Sequence, residues 1–144
     1  MPYQKFKKVL CINDNEITLW VQRQILNKAK FSEEVISSLN GREAIEYCNK
    51  LIGNNVEPAC SYPDLILLDL HMPVMDGWEF LHHYSVNIWP YFKNTKMVIT
   101  SYSVDEEFPE RAKEFPFVID FLTASLSTDY LEKLNTSLAS CEAA

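Results

Sequence analysis

Three apolar runs in this chain each end in a small polar group. The clearest is Leu65-Ile-Leu-Leu68, which stops at the carboxylate of Asp69 and is followed by a turn built from Pro73 and the pair Asp76-Gly77. A continuous apolar run reads as a strand buried on both faces, the situation in a parallel α/β sheet. Ligands of such sheets sit at the carboxyl ends of the strands. A carboxylate there serves as a metal ligand, a base or a nucleophile, or it caps the turn. Two further runs share the pattern. Lys8-Val-Leu-Cys-Ile12 ends in Asn13-Asp14, and Lys96-Met-Val-Ile-Thr100 ends in Thr100-Ser101. Parallel strands would bring Asp14, Asp69 and Thr100 to one edge. Two carboxylates there are hard oxygen ligands of the kind Mg²⁺ takes when it shares a phosphate.

The elements that would position these groups alternate. Val9–Ile12 is the first strand, and Glu16–Lys28 follows as a helix with Ile17, Trp20, Val21 and Ile25 at helical spacing. Val35–Leu39 is the second strand. Asn40 with Glu43 three residues on forms a capping-box start for a helix through Leu51. Gly53-Asn54-Asn55 stops that helix, and breaker residues mark a long loop to Pro63. Leu65–Leu70 is the third strand and Gly77–Asn87 the third helix. Met97–Thr100 is the fourth strand. Asp105–Glu114 reads as a short acidic helix, with Pro109 tolerable only in its first turn. Phe117–Leu122 is the fifth strand, and Ser127 or Thr128 caps a last helix through about Ala139. The expected fold is α/β, a flavodoxin-like doubly wound five-stranded parallel sheet of order 2-1-3-4-5 with helices on both faces.

Composition narrows the function. The 144 residues suit one domain (1–144, core about 8–139) with no output domain. A net charge of −7 argues against nucleic-acid binding, and the Lys5, Lys7, Lys8 cluster reads as a solvated terminus. No apolar run reaches the roughly 20 residues of a membrane span. Cys11, Cys48, Cys60 and Cys141 show no paired metal spacing. Cys11 sits inside a strand pattern as a small core residue, and free thiols without a signal peptide fit the cytoplasm. Gly is scarce, and neither a GxGxxG nor a P-loop pattern occurs. No Ser–His nucleophile pair is evident, so no enzyme is expected. His82 and His83 are adjacent on a helix, face different ways, and read as surface residues.

Asn13-Asp14, the Asp69 strand end, the Met72-Pro73-x-Met75-Asp76-Gly77 turn and the Thr100-Ser101 strand end, in that order, resemble the receiver domain of two-component response regulators. The resemblance spans about Lys8 to Ala139. It implies Asp69 as phosphoryl acceptor and Mg²⁺ as cofactor, held by Asp14, Asp69 and the backbone carbonyl of His71, with Asn13 at the outer shell. It implies that Thr100 contacts the phosphoryl group and acts as a switch. Phe121 matches the coupled aromatic of the fifth strand, and reads equally well as an ordinary sheet residue. The implied partners are a histidine kinase or phosphotransfer protein and an unknown downstream protein, with signalling through the surface around the fourth and fifth helices and the fifth strand.

Two positions depart from the family's pattern. Asn13 stands where an acid is usual. Ala124-Ser125 replaces a Lys-Pro pair whose Lys contacts the phosphoryl group, and Lys133 lies too far along the last helix to substitute. The usual site has three carboxylates and one Lys; this one has two carboxylates and none, the same formal charge. The losses offset each other before phosphorylation and not after it, because Lys makes a charge-assisted contact. The alternative to a working receiver is a degenerate one that binds partners without phosphorylation. A non-proline cis bond is costly, so a trans bond and an altered path are expected at Ala124-Ser125-Leu126.

Overall fold

The computed structural model of the chain describes residues 6–54, 62–70, 75–100, 110–111, 113–123 and 125–143. The strands are β1 (Phe6–Ile12), β2 (Ser32–Ser38), β3 (Leu65–Asp69), β4 (Lys96–Thr100) and β5 (Val118–Leu122). The helices are α1 (Glu16–Lys28), α2 (Gly41–Asn54), α3 (Gly77–Asn87) and α4 (Thr128–Ala143). The strands form one parallel sheet of order β2-β1-β3-β4-β5, as the alternation of elements implied. The expected helix over 105–114 falls mostly outside the described residues; Glu110 and Arg111 are helical.

Period-two alternation sends the sheet's side chains into two cores. Leu10, Ile12, Ile66, Leu68, Met97 and Ile99 pack under α2 and α3, which contribute Ala44, Ile45, Cys48, Phe80, Leu81 and Tyr84. Val9, Cys11, Leu65, Leu67 and Val98 pack under α1 and α4, with Leu19, Leu26, Leu131 and Leu134. Both faces of β3 are covered, which is why it carries four apolar residues in a row. Each buried Leu, Ile, Val, Phe or Met among these stabilises the fold by about 1.5–3 kcal/mol relative to exposure. Cys11 and Cys48 are free and buried, and burial pushes both thiols up to about 12.

The helix starts follow local chemistry. Glu43 N–H donates to Asn40 Oδ1 at 2.9 Å while Glu43 Oε1 accepts from Leu39 N–H at 3.1 Å, so the expected capping box forms, its return bond reaching one residue further back. Ser127, rather than Thr128, caps α4 by accepting from Tyr130 N–H at 3.1 Å.

Several expectations change. The spacing that marks α1 as a helix does not mark its buried side: Ile17 and Trp20 are 75% and 62% exposed, and Leu19, Gln22 and Leu26 face the core. Lys8 is no solvated terminus. β1 extends back to Phe6, and the Lys8 side chain, 15% exposed, lies 3.9 Å from Glu34 and 6.0 Å from the Tyr47 ring centre. β2 begins and ends earlier than its Val35-Ile36 core suggests, because its pairing with β1 starts at Ser32. β3 ends at Asp69, α2 runs on to Asn54 and α4 to Ala143.

Candidate functional site

The register of the sheet brings the polar strand ends together. Ile12 lies opposite Leu68, Leu68 opposite Ile99, and Asp69 opposite Thr100. The chain steps off β1 at Asn13-Asp14 on this same edge, so the carboxyl ends of β1, β3 and β4 form one rim. Asp14 is exposed there, and Asp69 and Thr100 are half-buried. The Thr100 hydroxyl donates to the Leu68 carbonyl at 3.4 Å, a long bond that turns it toward β3.

The start of α3 packs closely against the end of β3. Gly77 N–H donates to the Leu70 carbonyl at 2.9 Å, and Asp76 Oδ1 accepts from Glu79 N–H at 2.9 Å as the cap of α3. A Cβ on Gly77 would lie 2.5 Å from Leu70 Cδ2, 2.6 Å from Leu70 Cα and 3.1 Å from the Asp69 carbonyl oxygen. Gly77 therefore lets the start of α3 lie directly against the strand end that carries Asp69. On the neighbouring side, a Cβ on Gly41 would lie 3.0 Å from the Met75 side chain, so the start of α2 lies close to the residues just before α3. The His71 carbonyl, Ser101 and Ala124 lie outside the described residues.

Asn13 is buried and already engaged. Its N–H donates to the Ser38 carbonyl at 3.1 Å, and its Oδ1 accepts from Asn15 N–H at 2.9 Å. Asn15 in turn caps α1, accepting from Ile17 N–H at 2.9 Å and Thr18 N–H at 3.1 Å. This relay of two side-chain oxygens turns the chain out of β1, leaves Asp14 outward between them, and starts α1. Asn15 was overlooked in the sequence; its signal was an Asn directly before Glu16, a preferred cap residue before the first helical position.

Among the described residues no group of three or more His, Cys, Asp or Glu is placed to hold a metal. Among the described residues the carboxylates at the rim are those of Asp14 and Asp69. That set fits Mg²⁺, which binds through one or two carboxylates and keeps several waters, better than a metal needing a full protein cage.

Phe121 lies opposite Ile99, one residue before the level of Thr100, and packs half-buried against the α2–α3 core. It reaches that face through an irregularity. Met97 pairs with Val118 but Val98 pairs with Asp120, so Ile119 is an extra residue and the alternation of β5 reverses beyond it. Val118 and Phe121 thus share one face, while Asp120 turns to the other and accepts from Tyr130 OH at 2.8 Å. Burial first, and the Asp120 contact second, raise the Tyr130 phenol above its ordinary range. His82 is exposed and His83 half-buried, and they form no pair: His82 meets Phe115 edge-on at 5.3 Å between ring centres, and His83 is approached by Asn87. Sequence reading also missed Arg111, whose guanidinium lies 3.9 Å from the centre of the Trp78 ring.

The family model for the response regulator receiver domain matches residues 9–134. The chain belongs to this receiver-domain family. Among curated proteins it is 39% identical over 72 residues to protein-glutamate methylesterase/protein-glutamine glutaminase 1 of Pseudomonas fluorescens, covering 50% of this chain and 18% of that protein. It is 36% identical over 76 residues to the two-component response regulator ORR41 of Oryza sativa subsp. japonica, covering 53% of this chain and 54% of that one. The receiver chain thus spans about half or less of the length of these relatives. Among solved structures, a two-component response regulator from Cytophaga hutchinsonii superposes with a TM-score of 0.83 at 24% identity, covering 95% of this chain and 99% of that one. The phosphorylated cyanobacterial phytochrome response regulator RcpA superposes at 0.68 with 27% identity, covering 92% of this chain and 90% of that one. Among the described residues no helix of this receiver is long and apolar enough to cross a membrane.

Proposed function

We propose that this receiver accepts a phosphoryl group on Asp69 from a phosphohistidine of a histidine kinase or phosphotransfer protein, in the cytoplasm, and signals by binding a downstream protein. The observation that carries the reading is the pairing of Asp69 with Thr100 at the carboxyl rim, beside the outward Asp14 and a helix start that only Gly77 allows so close. An Asp69 carboxylate oxygen forms the new P–O bond as the P–N bond to the donor imidazole breaks. The electron pair of that bond stays on the imidazole nitrogen. Asp14, Asp69 and the His71 carbonyl would hold Mg²⁺, which neutralises charge on the transferring group. Thr100 would exchange its long bond to Leu68 for a shorter one to a phosphoryl oxygen. Phe121, on the opposite face of the sheet edge and one residue lower in register, would follow a shift of β4 against β5.

The exposed stripe Ile17, Trp20, Val21 supports a donor that docks. It lies on α1, three residues past Asp14, and monomeric surfaces rarely gather large apolar side chains without a use. The buried, reduced thiols Cys11 and Cys48 fit a cytoplasmic setting. The test is incubation with acetyl phosphate or phosphoramidate and Mg²⁺, followed by intact mass. One added phosphoryl group is expected, lost with EDTA and in Asp69→Asn. No Mg²⁺-dependent gain would refute phosphoryl acceptance and leave a binding module that acts without it.

A further inference from the structure

We infer that the outer face of α1 is the contact surface for a second copy of this chain, the two helices crossing antiparallel about a two-fold axis. The outward residues of α1 follow one another at helical spacing: Glu16 and Ile17, Trp20 and Val21, Gln24, then Asn27 and Lys28, all exposed. Leu19, Gln22 and Leu26 hold the inward side, so the helix's own core contacts are already made. What remains outside is ordered by charge along the helix. Asp14 and Glu16 stand exposed at its start, Lys28 and Lys30 stand exposed at its end, and Ile17, Trp20 and Val21 lie between them. Among the described residues no ion pair takes any of these four charges.

A two-fold contact must be self-complementary, because each copy offers the same patch and receives it at the reciprocal position. Acid at one end and base at the other satisfy that demand when the helices run antiparallel; a parallel pair would set acid on acid and lysine on lysine. With the level of Gln22 at the crossing point, Glu16 stands level with Lys28 of the second copy and Asp14 with its Lys30, and the same pairs recur at the other end. Glu16 and Lys28 are about 18 Å apart along one helix at 1.5 Å per residue, so both ends of an inclined crossing stay within reach of long side chains. Trp20 then lies level with Gln24 of the second copy, and Trp20 and Val21 of each copy cover those of the other. The net charge of −7 repels two copies at long range, so the attraction is local to this face. A contact made by one helix from each copy falls at the small end of interfaces, below about 1,200 Å², which makes the pair weak and dependent on concentration. A paired receiver hides the stripe from a docking donor; that consequence, unlike the pairing itself, rests on the acceptor reading of Asp69.

The experiment is sedimentation equilibrium of the full chain from micromolar to near-millimolar concentration, without Mg²⁺ or a phosphoryl donor, so its outcome is independent of whether Asp69 accepts a phosphoryl group. Wild type is expected to pass from monomer to dimer. Trp20→Gln is expected to weaken the dimer about tenfold or more, since a tryptophan at the centre of a contact carries much of its strength. The antiparallel register is tested by Glu16→Lys and Lys28→Glu. Each exposed ion pair is worth a factor of about 1.5–5, and either change alone turns both end pairs from attraction to repulsion. Each variant by itself is therefore expected to pair at least about fivefold more weakly than wild type. Mixed together, the two variants restore opposite charges at both ends, and the mixed dimer is expected to be the tightest species in that solution. Both variants stay net acidic, so long-range charge does not drive the mixing. All three positions are exposed, and far-UV circular dichroism checks that each variant is folded. A chain that stays monomeric throughout, or one whose dimer is untouched by Trp20→Gln, overturns the inference. A mixture that pairs no better than its separate variants overturns the antiparallel register.

Discussion

The three glycines of this chain make a matched series that tests how the rim is built. None has a positive φ, so what each position requires is space and not an unusual backbone. At Gly77 a Cβ would stand 2.5 and 2.6 Å from Leu70 atoms, one of them the backbone Cα, distances that side chains do not reach. The start of α3 must move off the strand end, with the Gly77 to Leu70 hydrogen bond of 2.9 Å at stake. Overpacking of this kind costs about 1–3 kcal/mol. At Gly41 the contacts are 3.0 Å to Met75 Cγ and Sδ and 3.1 Å to its Cβ; Met75 must give by a few tenths of an ångström, which its flexible end eases, so alanine there is close to neutral. At Gly53, inside α2, nothing lies within 4 Å, and alanine gains helix propensity of roughly 0.5–1 kcal/mol. Urea unfolding followed by far-UV circular dichroism measures all three, with changes in midpoint at constant slope read as stability. The expected order is Gly53→Ala above wild type, Gly41→Ala near it, and Gly77→Ala lowest. Gly77→Ala should also slow Mg²⁺-dependent phosphorylation in proportion more than it lowers stability, because the shift falls on the residue next to Asp69. Gly77→Ala within 0.5 kcal/mol of wild type would refute the claim that helix and strand end are in obligatory contact.

Three other outcomes follow from particular groups. Asn13→Asp keeps an acceptor for Asn15 N–H while adding a carboxylate at the rim, so Mg²⁺ should bind more tightly by amide-shift titration and the metal-free protein should melt lower; unchanged metal affinity would show that Asn13 lies outside the metal's reach. Burial raises Cys11 and Cys48 to about 12 from the ordinary thiol value of about 9, so the folded state holds both protons where the unfolded state has lost them. The stability they contribute is complete below pH 9 and is lost toward pH 12, at up to about 1.4 kcal/mol per unit for each thiol; urea midpoints between pH 8 and 10.5 should fall less steeply in Cys11→Val than in wild type. Ala124→Lys restores the cation that the family's pattern places there, and a charge-assisted bond of about 1.5–3 kcal/mol should enlarge the phosphorylation-dependent amide shifts at Thr100 and Phe121; equal shifts in both proteins would show that switching here does not use that cation.

The sheet was legible because its determinants are local and repeated. Four apolar residues before Asp69 fit no surface strand, and breakers between the runs forced short crossovers. What escaped was the side each helix turns to the core. In α1, Ile17, Trp20 and Val21 have the right spacing and the wrong azimuth, while Gln22 takes a buried place. Spacing gives a helix its period but not its phase, and an apolar stripe kept for a partner looks the same as one kept for the core. Lys8 escaped for a related reason, since a charge near a terminus looks solvated until its strand, Glu34 and Tyr47 surround its stem.

At the rim, the residues set by strand order could be named beforehand, and those set by turns and a bulge could not. Asp69 and Thr100 follow from where apolar runs stop, and their pairing follows from the sheet. The engagement of Asn13 with Asn15 needs the dihedral path of a turn, which residue types only permit. Phe121 is more instructive still. Counted by simple alternation from Val118, it should face α4, away from the core under α3. Only the extra residue Ile119 returns it to the face it shares with Val118 and Ile99. Because an edge strand bears a bulge at less cost than a central one, the reversal could arise in β5 and not in β3. The side of the sheet on which a shift at Thr100 would be felt is thus set by one inserted position, not by the aromatic residue alone.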